Sequence, residues 1–302
     1  MQRYLDRISL FYHAYRRPLE WIFFFLLLFP LIRHLQTFQT NEWSALLEGQ
    51  FSSPALWYLL LAVLLMPLNW ILEAWKWKLI LRRKDISFLH TVKGTLAGLA
   101  FGLITPWRSG ELPGRSAFIG QQQQKHVLPL TLWAGAAQTL ATLLAMLLAM
   151  PLLNTPDALP AVLLGLSSFL LLLYFYPIPF IRMAGISLPP VTDLPGPALL
   201  SVILGLSLIR LCVYAVQYLL LFYFTGITES VLTLLVCTLQ FLFAASFSPL
   251  MPLLDPAWRG TAVMFIFPEQ QHLQAMVAVG CIWLINLILP AFAGYTFWVK
   301  RK

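Results

Sequence analysis

The feature that most limits what this chain can become is a series of apolar stretches, each close to the length of a bilayer crossing. They run over Leu19–Leu35, Pro54–Leu81, Val127–Leu153, Leu159–Arg182 and Ala198–Phe224, with a last one ending at Trp298. A crossing helix needs about 20 mostly apolar residues. Lipid offers no partner for a bare N–H or C=O, so stretches of this kind form helices. Composition agrees: 59% of residues are hydrophobic and 11% charged, with 22 Phe and 11 Trp. Soluble domains carry about a quarter charged residues, and so little charge cannot cover a water-soluble globule. The 302 residues hold roughly six to eight membrane segments and no sizeable soluble domain.

The net charge is +8, and its placement argues against a nucleic-acid partner. The basic residues gather beside apolar runs, the pattern that fixes a cytoplasmic side. Residues 1–17 interleave Arg3, Arg7, Arg16 and Arg17 with Tyr4, Leu5, Ile8, Phe11 and Tyr15, which reads as a cytoplasmic amphipathic interfacial segment. The run after it lacks a small-residue cleavage site and is a first span, not a removed signal. Residues 18–302 then form a single transmembrane domain. The segment Thr40–Ser53 has Glu42 and Glu48 but no Lys or Arg and is expected as an outer loop, whereas Arg82, Arg83 and Lys84 hold the second span inside. Met183–Pro197 is expected as a further loop. Cys212, Cys237 and Cys281 lie within apolar runs with no metal-ligand spacing. His90, His126 and His272 are not spaced as ligands, and Asp157 and Asp193 stand alone in loops. No nucleophile–base pair, metal motif or Gly-rich phosphate loop is present, so no catalytic residue, metal or cofactor is expected.

Two stretches break the apolar pattern. After a helix from Phe88, Thr105-Pro106-Trp107-Arg108-Ser109-Gly110-Glu111-Leu112-Pro113-Gly114-Arg115 packs three charges, two prolines and two glycines together. After a helix from Val231, Ser248-Pro249-Leu250-Met251-Pro252-Leu253-Leu254-Asp255-Pro256-Ala257-Trp258-Arg259-Gly260 does much the same. Lipid-exposed backbone would not tolerate either. If both units, about 88–120 and 230–268, are re-entrant, the Lys/Arg-rich flanks (1–17, 82–93, Lys125, Arg182, 300–302) all fall in the cytoplasm. The outer loops are then free of Lys and Arg, with Arg33 the one exception. If both units crossed fully, Lys125 and Arg182 would move outside. The charge pattern favours re-entrance. The expected architecture is an all-α polytopic membrane protein of about six full spans plus two oppositely oriented re-entrant helical hairpins, resembling an inverted repeat with a substrate site at the midplane. Both breaks carry Pro, Trp, Arg and Gly in that order: Pro106-Trp107-Arg108-Ser109-Gly110 and Pro256-Ala257-Trp258-Arg259-Gly260.

Charge at depth is costly, by roughly 2.5–3.5 kcal/mol per residue on insertion scales, and needs a partner or a water-filled cavity. The candidates for headgroup binding are Arg108, Glu111, Arg115, Asp255 and Arg259, with Glu73 and Arg210 further out. On a helix Arg108, Glu111 and Arg115 would share a face and leave net positive charge, and Asp255 and Arg259 are spaced to pair. Guanidinium forks match phosphate oxygens, which points to a lipid phosphate; the competing reading is that these charges only neutralise one another. Asn69, Trp70, Glu73, Trp75, Lys76 and Trp77 read as an aromatic belt with snorkelling cations, although Glu73 could instead meet a hairpin arginine. Arg210, in mid-span, needs a buried partner or a lumen. Gln138, Gln217 and Gln240 suit interhelical hydrogen bonds.

Several stretches resemble the transmembrane, flippase-like domain of lysylphosphatidylglycerol synthases. They are Leu68-Asn69-Trp70 through Glu73-Ala74-Trp75-Lys76-Trp77, Gly102-Leu103-Ile104-Thr105-Pro106 with Arg108, Gly110-Glu111 and Gly114-Arg115, Ala137-Gln138-Thr139 with Thr142, Trp258-Arg259-Gly260, and Trp283-Leu284-Ile285-Asn286 with Pro290. The likeness covers about residues 54–297. At the second break relatives often have Gly-x-Arg-Glu, where this chain continues Arg259-Gly260-Thr261. The resemblance implies movement of phospholipid or lipid-linked headgroups between leaflets; the expected substrate is an anionic phospholipid or a polyprenyl-phosphate-linked lipid of a bacterial inner membrane, and the basic flanks put both termini in the cytoplasm. The chain ends at Lys302 without the soluble aminoacyl-transfer domain of the full-length synthases, so synthase activity is not expected of it. The alternative function is a membrane partner or scaffold subunit for a glycosyltransferase or lipid-modifying enzyme; a lipid enzyme in its own right is a third reading, weakened by the missing acid–base pair. Expected partners are therefore a phospholipid or lipid-linked substrate and the membrane itself, with a homo-oligomer or a soluble enzyme partner as further options.

Overall fold

The structure is a computed structural model that describes residues 18, 21–50, 53–81, 86–105, 108–118, 124–153, 158–176 and 195–300. The expected interfacial segment 1–17, Arg82–Lys84, Pro106 and Trp107, Gln121–Gln123, the side chains of Lys125 and His126, Asp157, the stretch 177–194 with Arg182, and Lys302 lie outside the described residues. Among those described, every regular element is helical: α1 (Trp21–Leu35), α2 (Thr40–Gln50), α3 (Ser53–Leu81), α4 (Phe88–Leu103), α5 (Glu111–Ser116), α6 (Gln124–Ala149), α7 (Ala158–Phe175), α8 (Pro197–Phe224), α9 (Val231–Ala245), α10 (Asp255–Ile266), α11 (His272–Trp283) and α12 (Leu289–Val299). A π-helical turn, Leu284–Ile288, joins α11 to α12 in one long rod.

Ala55–Leu81, Trp133–Leu152, Pro197–Phe224 and Glu269–Val299 are long and apolar enough to cross a bilayer. Shorter α1 and α7 occupy the other two expected spans. One expectation needs correcting: Thr40–Ser53 is not a loop. Most of it is α2, set at 89° to α1, with Glu42 in the first turn accepting the Gln39 N–H at 2.7 Å. Large apolar side chains such as Phe25, Phe29, Trp57, Leu64, Val162, Leu172 and Phe292 face outward, as lipid-facing surfaces require.

Helix ends follow local chemistry. Ser87 caps α4 by accepting the His90 N–H at 3.2 Å, and Ser230 caps α9 by accepting the Thr233 N–H at 3.1 Å. Helix α8 starts with Pro197 after Gly196 and ends in a Schellman motif around Gly226 (φ +87°), where the Ile227 N–H reaches the Phe222 carbonyl at 3.0 Å. The π turn has its own cause. Pro290 brings no N–H for the Asn286 carbonyl one turn earlier, so the regular ladder loosens there.

Helices α3 and α8 form the central pair and run antiparallel: Lys76 meets Ser207, Ala62 meets Gln217, and Tyr58 lies 5.7 Å from Tyr223. This fixes where the hairpins enter. Helix α4 starts beside the end of α3, where Lys78 donates to the Ile86 carbonyl. Helix α5 then folds back along α4, Glu111 lying against Gly102 and Arg115 against Gly98 and Gly94. At the other end of the pair, α9 leaves from the end of α8, and α10 returns until Phe267 packs 5.1 Å from Phe222. Each hairpin therefore leaves from the end at which it entered, and the two enter from opposite ends.

Lipid drives no hydrophobic association between helices, so close approach depends on small side chains. Gly94, Gly98 and Gly102 form a stripe at four-residue spacing on α4 against which α5 lies. A Cβ on Gly98 would sit 2.6 Å from Arg115 Cγ, and one on Gly114 would sit 2.6 Å from the Gly98 Cα. On the far side of α4, a Cβ on Gly294 would collide with the Leu96 carbonyl. Gly114→Val should therefore destabilise the protein by about 1–3 kcal/mol, the usual cost of overpacking. Gly135→Val, with nothing within 4 Å of its Cβ, serves as the control. Equal melting temperatures of the two purified variants would refute this packing account of the hairpin.

Candidate functional site

The tips of the hairpins meet. The Leu253 N–H, in the second break, donates to the Leu103 carbonyl at the end of α4, at 3.1 Å. Each tip is also tied internally. Thr105 Oγ1 accepts the Gly110 N–H at 2.8 Å and donates to the Phe101 carbonyl at 3.0 Å. In the second hairpin Trp258 Nε1 donates to the Ala244 carbonyl at 2.9 Å, and from outside it Trp283 Nε1, at the end of α11, donates to the Pro252 carbonyl at 3.0 Å.

Between the tips lies a cavity of about 370 Å³, within the range that holds small ligands. Arg108 lines it from the first break; Ser246, Ser248, Asp255 and Arg259 line it from the second; Trp70, Tyr214, Tyr218 and Asn286 close it from α3, α8 and the π turn. Arg108 has a left-handed backbone, φ 57°, and is the one non-glycine so placed among the described residues. Such strain costs on the order of 1–3 kcal/mol and persists where the surroundings enforce it. Its side chain is 46% exposed, with Nε 2.5 Å from Glu111 Oε1. Arg259 Nε donates to Asp255 Oδ2 at 2.5 Å and Nη1 to the Tyr218 hydroxyl at 3.3 Å, while the guanidinium carbon lies 5.9 Å from the Phe241 ring centre. Among the described residues, two buried polar atoms of the lining have no partner: the donor Trp70 Nε1 and the acceptor Asp255 Oδ1.

Behind the cavity runs a buried network centred on Glu73. Its Oε1 accepts Arg115 Nη2 at 3.1 Å; its Oε2 takes Lys76 Nζ and Arg210 Nη1, each at 2.9 Å. Arg115 Nη2 also reaches Glu111 Oε2 at 3.0 Å, which links the network to Arg108. Arg210 Nε donates to Asn69 Oδ1 at 2.6 Å and its Nη1 to Gln138 Oε1 at 3.3 Å. Asn69 continues to Asn286, Asn286 to Gln217, and Gln217 to the Ala62 carbonyl. Lys76 adds Ser207 at 3.1 Å. Rings cover the cations: Arg115 lies over Trp77, and Arg210 over Trp70, both at 5.3 Å. Among the described residues, the acidic partners of Lys76, Arg108, Arg115 and Arg210 are thus Glu73 and Glu111. The cluster leaves two positive charges unmatched, and Asp255 and Arg259 cancel.

The structure divides the seven candidates read from the sequence. Arg108, Asp255 and Arg259 face the cavity; Glu73, Glu111, Arg115 and Arg210 stand in the network that supports it. The aromatic-belt reading is overturned. Asn69, Trp70, Glu73, Lys76 and Trp77 are buried, and Lys76 is fully so; Trp75 alone of the set is exposed. These residues share one face of α3, turned toward α4–α5 and α8, and the ion pairs there hold the cations that a belt would send to the interface. Sequence reasoning missed Lys76, Trp70 and Asn286 as parts of the site. It also missed that His272 lies 2.9 Å from His34, two residues 238 positions apart.

A family model described as the lysylphosphatidylglycerol synthase TM region matches residues 19–294. No curated protein and no solved structure matches the chain. The family match takes in both hairpins, the central pair and the whole charged cluster. The chain is thus a multi-pass membrane protein with a lipid-related role, and it belongs to the family of the lysylphosphatidylglycerol synthase TM region.

Proposed function

We propose that this protein is a transporter, not an enzyme, and that it carries the phosphate-bearing headgroup of an anionic phospholipid or lipid-linked substrate between leaflets while the tails stay in lipid. The observation that carries the reading is the cavity itself: two breaks entering from opposite ends meet around a polar space bordered by net positive charge. Arg108 offers exposed guanidinium donors there, and Trp70 Nε1 is a buried donor without an acceptor. A phosphate oxygen answers both needs. The test is a headgroup-accessibility assay on the protein reconstituted into vesicles holding fluorescent phosphatidylglycerol or phosphatidylcholine. Faster equilibration of the anionic lipid between leaflets supports the reading; no acceleration over empty vesicles refutes it.

The basic flanks orient the protein in this reading, in a bacterial inner membrane, with the start of α4 in the cytoplasm and α2 outside. In a variant with the native cysteines replaced, a cysteine at Ser44 should react with a membrane-impermeant maleimide applied to intact cells, and one at His90 should not. Labelling at His90 alone would reverse the orientation.

A further inference from the structure

The Asp255 carboxylate is only half engaged. Oδ2 accepts from Arg259, whereas Oδ1 is buried without a partner, and the residue is 6% exposed. Arg259 on its own helix pairs with it, and the other ionisable groups that line the same cavity are Tyr214 and Tyr218 from α8 and Arg108 from the first break. None of them donates to Oδ1; the Tyr218 hydroxyl takes up Arg259 instead. A buried carboxylate oxygen left without a donor is unfavourable, and here it borders the cavity proposed to receive phosphate.

An anionic phosphate drawn in by Arg108, Trp70 and Arg259 would place a second negative charge beside Asp255. Two anionic groups sharing one site favour the state in which a proton lies between them. We propose that Asp255 is a proton-binding site coupled to headgroup entry. When a phosphate monoanion enters, Oδ1 takes one proton from a hydronium ion at the mouth of the cavity, where Arg108 is exposed. One O–H bond of the hydronium breaks and leaves neutral water, one O–H bond forms on Oδ1, and the reverse transfer returns the proton to water when the headgroup leaves. The loaded cavity then has the same net charge as the empty one, so headgroup and proton move as a neutral pair and a proton gradient can bias transport. This inference rests on the proposed function and adds an energy source to it.

The experiment is calorimetric titration of the full-length protein in detergent with short-chain phosphatidylglycerol, in two buffers of different protonation enthalpy. Short-chain phosphatidylcholine controls for tail binding. The wild type should take up about one proton per lipid and bind about tenfold tighter for each unit of pH lowered. Asp255→Asn, whose amide stands in for the protonated acid, should bind with no proton uptake and no such pH dependence. Lipid binding by the wild type without proton uptake overturns the inference and leaves the transport reading intact. Equal proton uptake by Asp255→Asn also overturns it, because the proton then binds elsewhere. If Asp255→Asn does not fold, Asp255→Glu replaces it and must retain the uptake. Failure of the wild type to bind phosphatidylglycerol in preference to phosphatidylcholine sinks both readings.

Discussion

Glu73→Gln is expected to destabilise the protein by about 3–5 kcal/mol, the cost of leaving buried charge without its counter-ion. That is a large part of the 5–15 kcal/mol that typically separates folded from unfolded chains. The carboxylate is 6% exposed and holds Lys76, Arg115 and Arg210 at once. An amide of the same shape keeps the packing and removes the charge. Of the three cations, Arg115 retains Glu111, whereas Lys76 is left with the Ser207 hydroxyl and Arg210 with the amides of Asn69 and Gln138. Lys76→Met should cost much less, because Glu73 keeps two arginines. Combining the two changes should recover part of the loss, since one orphaned cation is gone; that recovery appears as a favourable coupling in a double-mutant cycle. The readout is the unaggregated fraction surviving a series of heating steps in detergent. Strictly additive effects of the two substitutions would show that Lys76 and Glu73 are not coupled, and an unchanged melting point for Glu73→Gln would refute its role as the centre of the network.

How far the sequence reaches can be judged residue by residue. The apolar runs fixed the spans, because lipid leaves a chain of such stretches little choice but helix. The proline- and glycine-rich charged breaks located both hairpins for the same reason: irregular backbone at depth has to be enclosed by protein. What could not be read was which charges meet. Asn69, Glu73, Lys76 and Arg210 look alike in sequence whether they face lipid headgroups or a buried partner, since the contacts that bury them come from other helices far along the chain: Arg115 is 42 and Arg210 137 positions from Glu73. A local signal did exist for one missed feature. Gly94, Gly98 and Gly102 recur every four residues, the spacing that brings one helix face against another backbone, and they mark the side of α4 on which α5 lies. Helix α2 was hidden for a different reason: it is short and polar, and neither apolar length nor a strong cap announces it. Trp70 became recognisable only from what it lacks, a hydrogen-bond partner for its buried Nε1, and for Asp255, already a candidate from its spacing to Arg259, the unpartnered Oδ1 is equally invisible without coordinates.

Arg108→Gly is expected to give a protein at least as stable as the wild type that no longer moves lipid. The two halves of the prediction have separate physical causes. At φ 57° a residue with a Cβ pays roughly 1–2 kcal/mol that glycine does not. The ion pair lost with the side chain is partly exposed and worth only about 0–1 kcal/mol. Glu111 keeps Arg115 as its counter-ion, so no buried charge is stranded. Stability should therefore hold or rise. Binding should fall, because a charge-assisted contact to phosphate is worth roughly 1.5–3 kcal/mol, or about ten- to a hundredfold in affinity. Arg108→Lys separates charge from geometry: it keeps the cation and the strained backbone but loses the two-pronged donor, so its transport rate should lie between those of the wild type and Arg108→Gly. Arg259→Lys offers the same comparison across the cavity, where an ammonium can still face Asp255 but cannot reach Tyr218 and a phosphate oxygen together. The measurements are the melting temperature of each purified variant and the rate at which fluorescent phosphatidylglycerol equilibrates between leaflets of reconstituted vesicles. A stable Arg108→Gly protein that transports at the wild-type rate would show that the guanidinium does not hold the headgroup. Arg108 would then be a strained residue in a loop, and the charge around the cavity would serve only to hold the two hairpins in place.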